Sequence, residues 1–387
     1  MPDQRASTVA WYASRNNTRA RAREAQRHAT ALVAALVTVL GIALSLALAG
    51  CGGGNSGSSG TGPPPASAQA SAGSAPSRAV VIDTDMAVDD WLAILYLLGR
   101  PEVEVLAITV GGTGESHCEP GIRHARSLVA LAGQPDIPVA CGRETPLEGS
   151  HAFPGPWRDS VDGLLGLSLP DGPNQSASGT AVELLGSTLS SSSDKVTLLT
   201  LGPLTNVAEA LRESPDLADR IVATYVMGGA VGVDGSVGVS GVGIDNQFAE
   251  WNVYCDPLAA KLVLEVDVRV TLVPLDATNH APVSVAFADR LAGDSATPQA
   301  KFASDVLAQM RDAVASGTYY FWDPLAAAVL VDESLASFKS AGLSVVVDEG
   351  PESGRTTVAA TGPASRYATS ADAMRFEQAF IDTLNGR

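Results

Sequence analysis

The stretch Val80–Leu98, VVIDTDMAVDDWLAILYLL, decides the fold. Val80, Val81 and Ile82 form an apolar run of strand character that ends at Asp83. From Asp89 onward, Trp91, Ile94, Leu95 and Leu98 recur at three and four spacing, the period of an amphipathic helix. Between strand and helix stand four aspartates: Asp83, Asp85, Asp89 and Asp90. Acidic residues in a first helical turn favour the macrodipole, an ordinary explanation for Asp89 and Asp90. It does not cover Asp83 and Asp85, because carboxylates this close raise one another's pKa values. A hard divalent cation with oxygen ligands resolves the conflict, and Ca2+ is the plentiful one outside a cell.

Working outward, the same alternation recurs. VEVLAITV precedes IRHARSLVALAG, KVTLLTLG precedes LTNVAEALRESP, and IVATYVMGG, DPLAAKLVLEV and VRVTLVPLD follow. Unbroken Val, Ile and Leu runs separated by helices predict an α/β fold: an open, mainly parallel sheet with helices on both faces, in a single domain. Ligands of such sheets bind beyond the carboxyl ends of the strands. Asp83 and Asp85, Gly111–Glu115, Gly202–Asn206 and the glycine pair 228–229 all fall there.

The N-terminal part reads differently. Residues 1–27 carry six arginines against Asp3 and Glu24, and Ala29–Ala49 holds no charge. This is the basic and then apolar pattern of an export signal. Leu48-Ala49-Gly50-Cys51 resembles the lipobox of bacterial lipoproteins, which implies a signal peptide over 1–50 and lipidation of Cys51; an uncleaved membrane anchor is the alternative. Either places the remainder outside the cytoplasm, held at the bacterial cell membrane. Residues 51–77, made almost wholly of Gly, Ser, Ala and Pro, read as a flexible tether. Without the leader's six arginines and two acids, the domain over 78–387 has 19 basic and 40 acidic residues, a net charge of −21. Nucleic acid as a partner is excluded by that balance, since phosphates need a basic face. Cys118, Cys141 and Cys255 include no CxxC spacing, which argues against structural zinc. An oxidising location permits one disulfide among them, Cys118 with Cys141 being one pairing.

DTDxxxDD at Asp83–Asp90 resembles the N-terminal signature of the nucleoside hydrolases. Four further segments match in order: LGPLTN at Leu201–Asn206, MGG at Met227–Gly229, AEWNVYCDP at Ala249–Pro257 and FWDP at Phe321–Pro324. The resemblance implies Ca2+-dependent hydrolysis of the N-glycosidic bond of a ribonucleoside. It implies that Asp85 binds calcium and takes the proton of the attacking water, with Asp90, Asp323 and the Leu201 carbonyl as further ligands. Asp89 would hold the ribose 2′-hydroxyl, Glu250 and Asn252 the other hydroxyls, and Asp83 would support the loop. An oxocarbenium-like transition state suits such a carboxylate cradle.

The chain departs from the family pattern in places. Thr113 stands where the family has a ribose-contacting asparagine, with Glu115 and His117 as nearby substitutes. Ahead of AEWN, the second family asparagine falls at Ser236, with Asn246 as its replacement. Trp322 precedes the last calcium aspartate where base-nonspecific relatives have a histidine. With Trp157 as an opposing wall it implies stacking on the base and a preference for purines. Each piece also has a plainer reading. Asn206 would serve as a local cap or turn residue, Glu250 and Asn252 as one face of a strand, and Trp322 as a core aromatic. Three other classes compete: a haloacid-dehalogenase-like phosphatase, which leaves Asp89 and Asp90 without a role; a non-catalytic nucleoside-binding lipoprotein; and a calcium-stabilised scaffold. Self-association into a homo-oligomer is compatible with the sequence.

Overall fold

The computed structural model describes residues 77–172, 179–360 and 362–387. The leader over 1–50, the lipidation position Cys51 and the tether up to residue 76 lie outside the described residues. Nine strands form one sheet: β1 (Arg78–Thr84), β2 (Val103–Val110), β3 (Val139–Cys141), β4 (Val196–Thr200), β5 (Ile221–Met227), β6 (Val270–Val273), β7 (Ala336–Val345), β8 (Thr356–Ala359) and β9 (Ala364–Ala371). Their order is β3-β2-β1-β4-β5-β6-β9-β7-β8. Pairing is parallel from β3 through β6 to β9, and antiparallel where β7 meets β8 and β9.

The strand alternation explains why both faces are covered. In β1, Val80 and Ile82 enter one core with Trp91 and Ile94, whereas Val81 enters the other with Leu198 and Val207. Successive side chains of a strand point to opposite faces, so an unbroken apolar run needs a layer on each side. The antiparallel edge lacks such runs. ASFKSAGLSV in β7 is mostly exposed or half-buried, which is tolerated in an antiparallel strand at the margin of a sheet.

Two helices set the site. Val88–Leu98 is buried along its whole length, and Asp323–Val331, buried but for Val331, packs against it. Asp89 and Asp90 occupy the first turn of one helix and Asp323 the first turn of the other. Both positive dipole ends therefore meet the same acids. The strand order reverses between β1 and β4, and there Leu201 N–H donates to the Asp83 carbonyl at 2.8 Å. That crevice is the usual binding place of an open α/β sheet.

Cys118 and Cys141 form a disulfide, with Cα atoms 5.6 Å apart, and Cys255 is a buried free thiol.

Candidate active site

Asp83 and Asp85 leave the same strand and meet opposite surroundings. Asp83 Oδ1 accepts from Thr109 Oγ1 at 2.6 Å and from Asn206 Nδ2 at 2.8 Å. Asn206 also donates to the Val110 carbonyl at 3.1 Å, so it ties β1 to β2 and is neither a helix cap nor a local turn residue. Burial pushes Asp83 up to about 6, partly offset by those two donors. Asp85 Oδ2 accepts from Glu115 N–H at 3.0 Å, while its Oδ1 is buried without a hydrogen-bond partner. Burial, with the charge of Asp89 adding to it, pushes Asp85 up to about 7.

Two glycines hold Asp85 on either side. A Cβ at Gly114 would lie 2.0 Å from Asp85 Cβ, and one at Gly202 would lie 2.6 Å from it. Between the aspartates, Met86 adopts φ 58°, a left-handed conformation that is costly for a side chain of this size. Its carbonyl accepts from Trp91 Nε1 at 2.9 Å and its N–H donates to Thr84 Oγ1 at 3.0 Å, which hold the turn.

Asp89, Asp90 and Asp323 can each present one carboxylate oxygen within 4.8 Å of the others. Thr84 Oγ1 donates to Asp90, and Asp323 N–H donates to Asp89 Oδ2 at 3.3 Å. Asp90 Oδ2 and Asp323 Oδ1 are buried without partners, as is Asp85 Oδ1. Burial and mutual repulsion raise Asp90 and Asp323 well above the carboxylate range, and burial raises Asp89 to about 6. Buried anionic oxygens without donors are expensive, and a hard cation is the group that satisfies several at once. This buried cluster could bind a metal ion, and its all-oxygen donor set fits calcium.

A cavity opens beside the cluster. Asp85, Asp89, Asp323, Glu250, Asn252 and Leu201 line it. Glu250 and Asn252 do not alternate on a strand. Glu250 caps the short helix Trp251–Cys255, its carboxylate accepting from the N–H groups of Asn252 (2.8 Å), Gly229 (3.0 Å) and Val253 (3.2 Å). Asn252 Nδ2 donates to the Leu201 carbonyl at 2.9 Å, which fixes the direction of that oxygen.

Trp322 lines the cavity, half-buried, with Tyr320 at 5.7 Å between ring centroids. Trp157 does not line it: it packs edge-on behind Trp251 at 5.2 Å, and the wall itself is Trp251 with Phe153 stacked on it at 5.1 Å. Thr113 is turned away, sharing a hydrogen bond of 3.0 Å with Thr205. From the same loop it is Glu115 that reaches the cavity. Asn246 also lies off the cavity. Its Nδ2 donates to the Ser353 carbonyl at 2.7 Å and its Oδ1 accepts from Phe248 and Ala249 N–H, while Ser236 lines the cavity in its place. His117 binds Asp162 at 2.6 Å at the start of the helix Cys118–Leu131, and among the described residues no histidine lines the cavity. Phe153 and Trp251 carried no signal beyond being aromatic; Glu115 was signalled only by its place after a strand end.

Fold and site together place an oxygen-rich cluster that could hold a metal ion beside an aromatic-walled crevice at the switch point of an α/β sheet. The profile of the inosine-uridine preferring nucleoside hydrolases matches residues 80–378, and the chain belongs to that family. It is 37% identical over 214 residues to the pyrimidine-specific ribonucleoside hydrolase RihA of Salmonella agona (strain SL483). That match takes in 54% of this chain and 64% of the relative, so the chain spans just under two thirds of the curated relative's length. Among solved structures it is similar to the inosine-uridine preferring nucleoside hydrolase of Bacillus anthracis, with TM-score 0.70, 25% identity, and coverage of 80% of this chain and 100% of that one. The purine-preferring ribonucleoside hydrolase of Gardnerella vaginalis gives TM-score 0.70 at 28% identity, over 80% and 98% of the two chains.

Proposed function

We propose that the protein hydrolyses the N-glycosidic bond of ribonucleosides, purine nucleosides above all, in a calcium-dependent reaction giving ribose and free base. The observation that carries this reading is the set of buried carboxylate oxygens without donors, on Asp85, Asp90 and Asp323, beside an aromatic-walled cavity. Those three side chains, with the Leu201 carbonyl aimed by Asn252, would hold the calcium ion. When bound, the ion supplies charge that acidifies and orients a water molecule facing the anomeric carbon.

The chain's own residues do the rest. Asp85, at the floor of the cavity with one oxygen lacking a donor, takes the proton of the attacking water. Asp89, Glu250 and Asn252 hold the ribose hydroxyls, and contacts that tighten as the sugar flattens convert binding into rate. The surrounding carboxylates stabilise positive charge as it develops on the sugar. Trp322, Trp251 and Phe153 enclose the base, and a purine offers them the larger face. The export leader and Cys51 would place this activity outside the cytoplasm, anchored to the cell membrane by lipid.

The test is reducing-sugar release by the full chain from inosine, guanosine, adenosine, uridine and cytidine, with added calcium and after chelation. Calcium-dependent release, faster from the purines, is the expected result. Release unaffected by chelation removes the metal's role, and faster release from pyrimidines removes that of Trp322. Binding of an intact, uncleaved nucleoside with no release identifies a binding lipoprotein instead.

A further inference from the structure

Asp85 is aimed by a loop, and the loop is held from outside the cavity. Glu115 N–H donates to Asp85 Oδ2 and Ser116 N–H to the Asp85 carbonyl, each at 3.0 Å. Such bonds fix neither partner unless one of them is anchored elsewhere. The ends of the segment Gly111–His117 are anchored: Gly111 N–H donates to the Thr84 carbonyl at 2.7 Å, and His117 is bound by Asp162 just before the disulfide of Cys118 with Cys141. Between those ends, among the described residues, two side-chain ties besides Asp85 reach the loop. One is the neutral pair of hydroxyls on Thr113 and Thr205, 3.0 Å apart. The other is half-buried Arg158, whose Nη2 donates to the Gly112 carbonyl at 2.8 Å and to the Ser116 carbonyl at 3.0 Å. Charge-assisted bonds of this kind are about twice as strong as neutral ones. Arg158 is itself carried by a fixed element: in its helix, Gly155–Asp162, Val161 is buried in the main core and Trp157 packs edge-on to Trp251 at 5.2 Å.

Resting on the hydrolase reading, we infer that Arg158 is a positioning residue for Asp85: it stands outside the cavity lining and fixes the loop whose N–H groups aim the carboxylate. A guanidinium presents its N–H groups in one rigid plane. The two carbonyls held by the same nitrogen, which bracket Thr113 to Glu115, therefore keep a constant spacing. Any shift of the loop passes directly to Asp85, since the Gly114 backbone leaves no room beside it: a Cβ there would lie 2.0 Å from Asp85 Cβ. A displacement of about 1 Å at a reacting group costs about 10²-fold in rate. The loss belongs to the chemical step. The ribose contacts proposed for Asp89, Glu250 and Asn252, and the aromatic walls around the base, come from other segments that Arg158 does not bond.

The experiment measures initial rates on inosine and uridine with saturating calcium, and amide hydrogen exchange over residues 111–117, in the wild type, Arg158→Met and Arg158→Lys. Arg158→Met is expected to lower kcat at least about tenfold by the same factor on both nucleosides, with KM kept within about twofold. A smaller loss, a loss carried by KM, or a changed ratio between the two nucleosides overturns the proposal. Arg158→Lys keeps the charge beside Glu115 but not the planar fork, and a loss of at least about threefold in kcat is expected. Wild-type kcat in Arg158→Lys makes charge alone the requirement and overturns the positioning role; this variant carries the test by itself if Arg158→Met does not fold. Exchange at the Glu115 and Ser116 amides is expected to quicken at least about tenfold in the variants while β1 and β4 keep their protection. Unchanged exchange there overturns the proposal without reference to turnover. If the wild type releases sugar from no nucleoside, the hydrolase reading falls, and the exchange rates alone decide whether Arg158 holds the loop.

Discussion

Asp83 and Asp85 stand two residues apart, and each is buried, yet one is tied into the scaffold by two donors and the other keeps an oxygen without one. Asp83 sits below the crevice with donors from Thr109 and Asn206. Asp85 sits at its floor with one oxygen unpaired, next to Asp90 and Asp323 with the same deficit. The difference teaches that burial of a carboxylate is not itself a functional mark. What marks function is burial without the donors that would make it tolerable.

Four measurements would break or sharpen that contrast. Asp85→Asn is expected to leave a folded protein whose kcat is down by about 10²–10⁴-fold, the usual contribution of a general base, in initial-rate assays with saturating calcium. A folded variant with near wild-type turnover would put the proton acceptor elsewhere.

Chelation comes next. In the metal-free protein the folded-state pKa values of Asp85 (about 7) and Asp89 (about 6) lie above the unfolded value of 3.8. The native state then binds more protons than the unfolded state between those limits, so stability is present below about pH 4 and is lost as pH rises through about 7. Melting temperature with chelator should fall across that window, and excess calcium should remove most of the fall. A flat profile with chelator would mean that the cluster is not under charge strain.

Asn206→Ala addresses the scaffold aspartate. Removing a donor from a buried carboxylate is expected to cost about 1–3 kcal/mol in denaturant unfolding, with calcium affinity little changed. A loss of calcium binding larger than the loss of stability would move Asp83 into the site. The smallest effect is expected from Thr113→Val, whose hydroxyl bonds Thr205 and not the cavity: about 1 kcal/mol of stability, with KM for the preferred nucleoside unchanged. A large rise in KM would return Thr113 to the ribose.

Much of this was legible before any coordinates. The apolar runs gave the parallel sheet because a strand covered on both faces cannot hide its composition. Asp85, Asp89, Asp323, Glu250 and Asn252 were readable because they lie in short segments whose order matches a known family. The antiparallel edge from β7 to β9 was harder to see, since half-exposed strands have mixed composition. Glu250-Trp251-Asn252 read equally as a strand because a five-residue helix shows no period, and its start signal is a glutamate cap held by three backbone N–H groups. The roles of Trp157, Thr113 and Asn246 turned on side-chain direction. Each lies within a few residues of the cavity and faces another partner, a choice made by packing that sequence spacing does not encode.

Gly114 and Gly202 come from different loops and close on Asp85 from two sides, leaving no room for a methyl group at either position. In the language of inheritance, those sites are locked to the Asp85 carboxylate. A mutation that places any side chain there must displace Asp85 first, so a lineage can diversify its aromatic walls without touching the lock. It cannot diversify the lock and keep Asp85 where it stands.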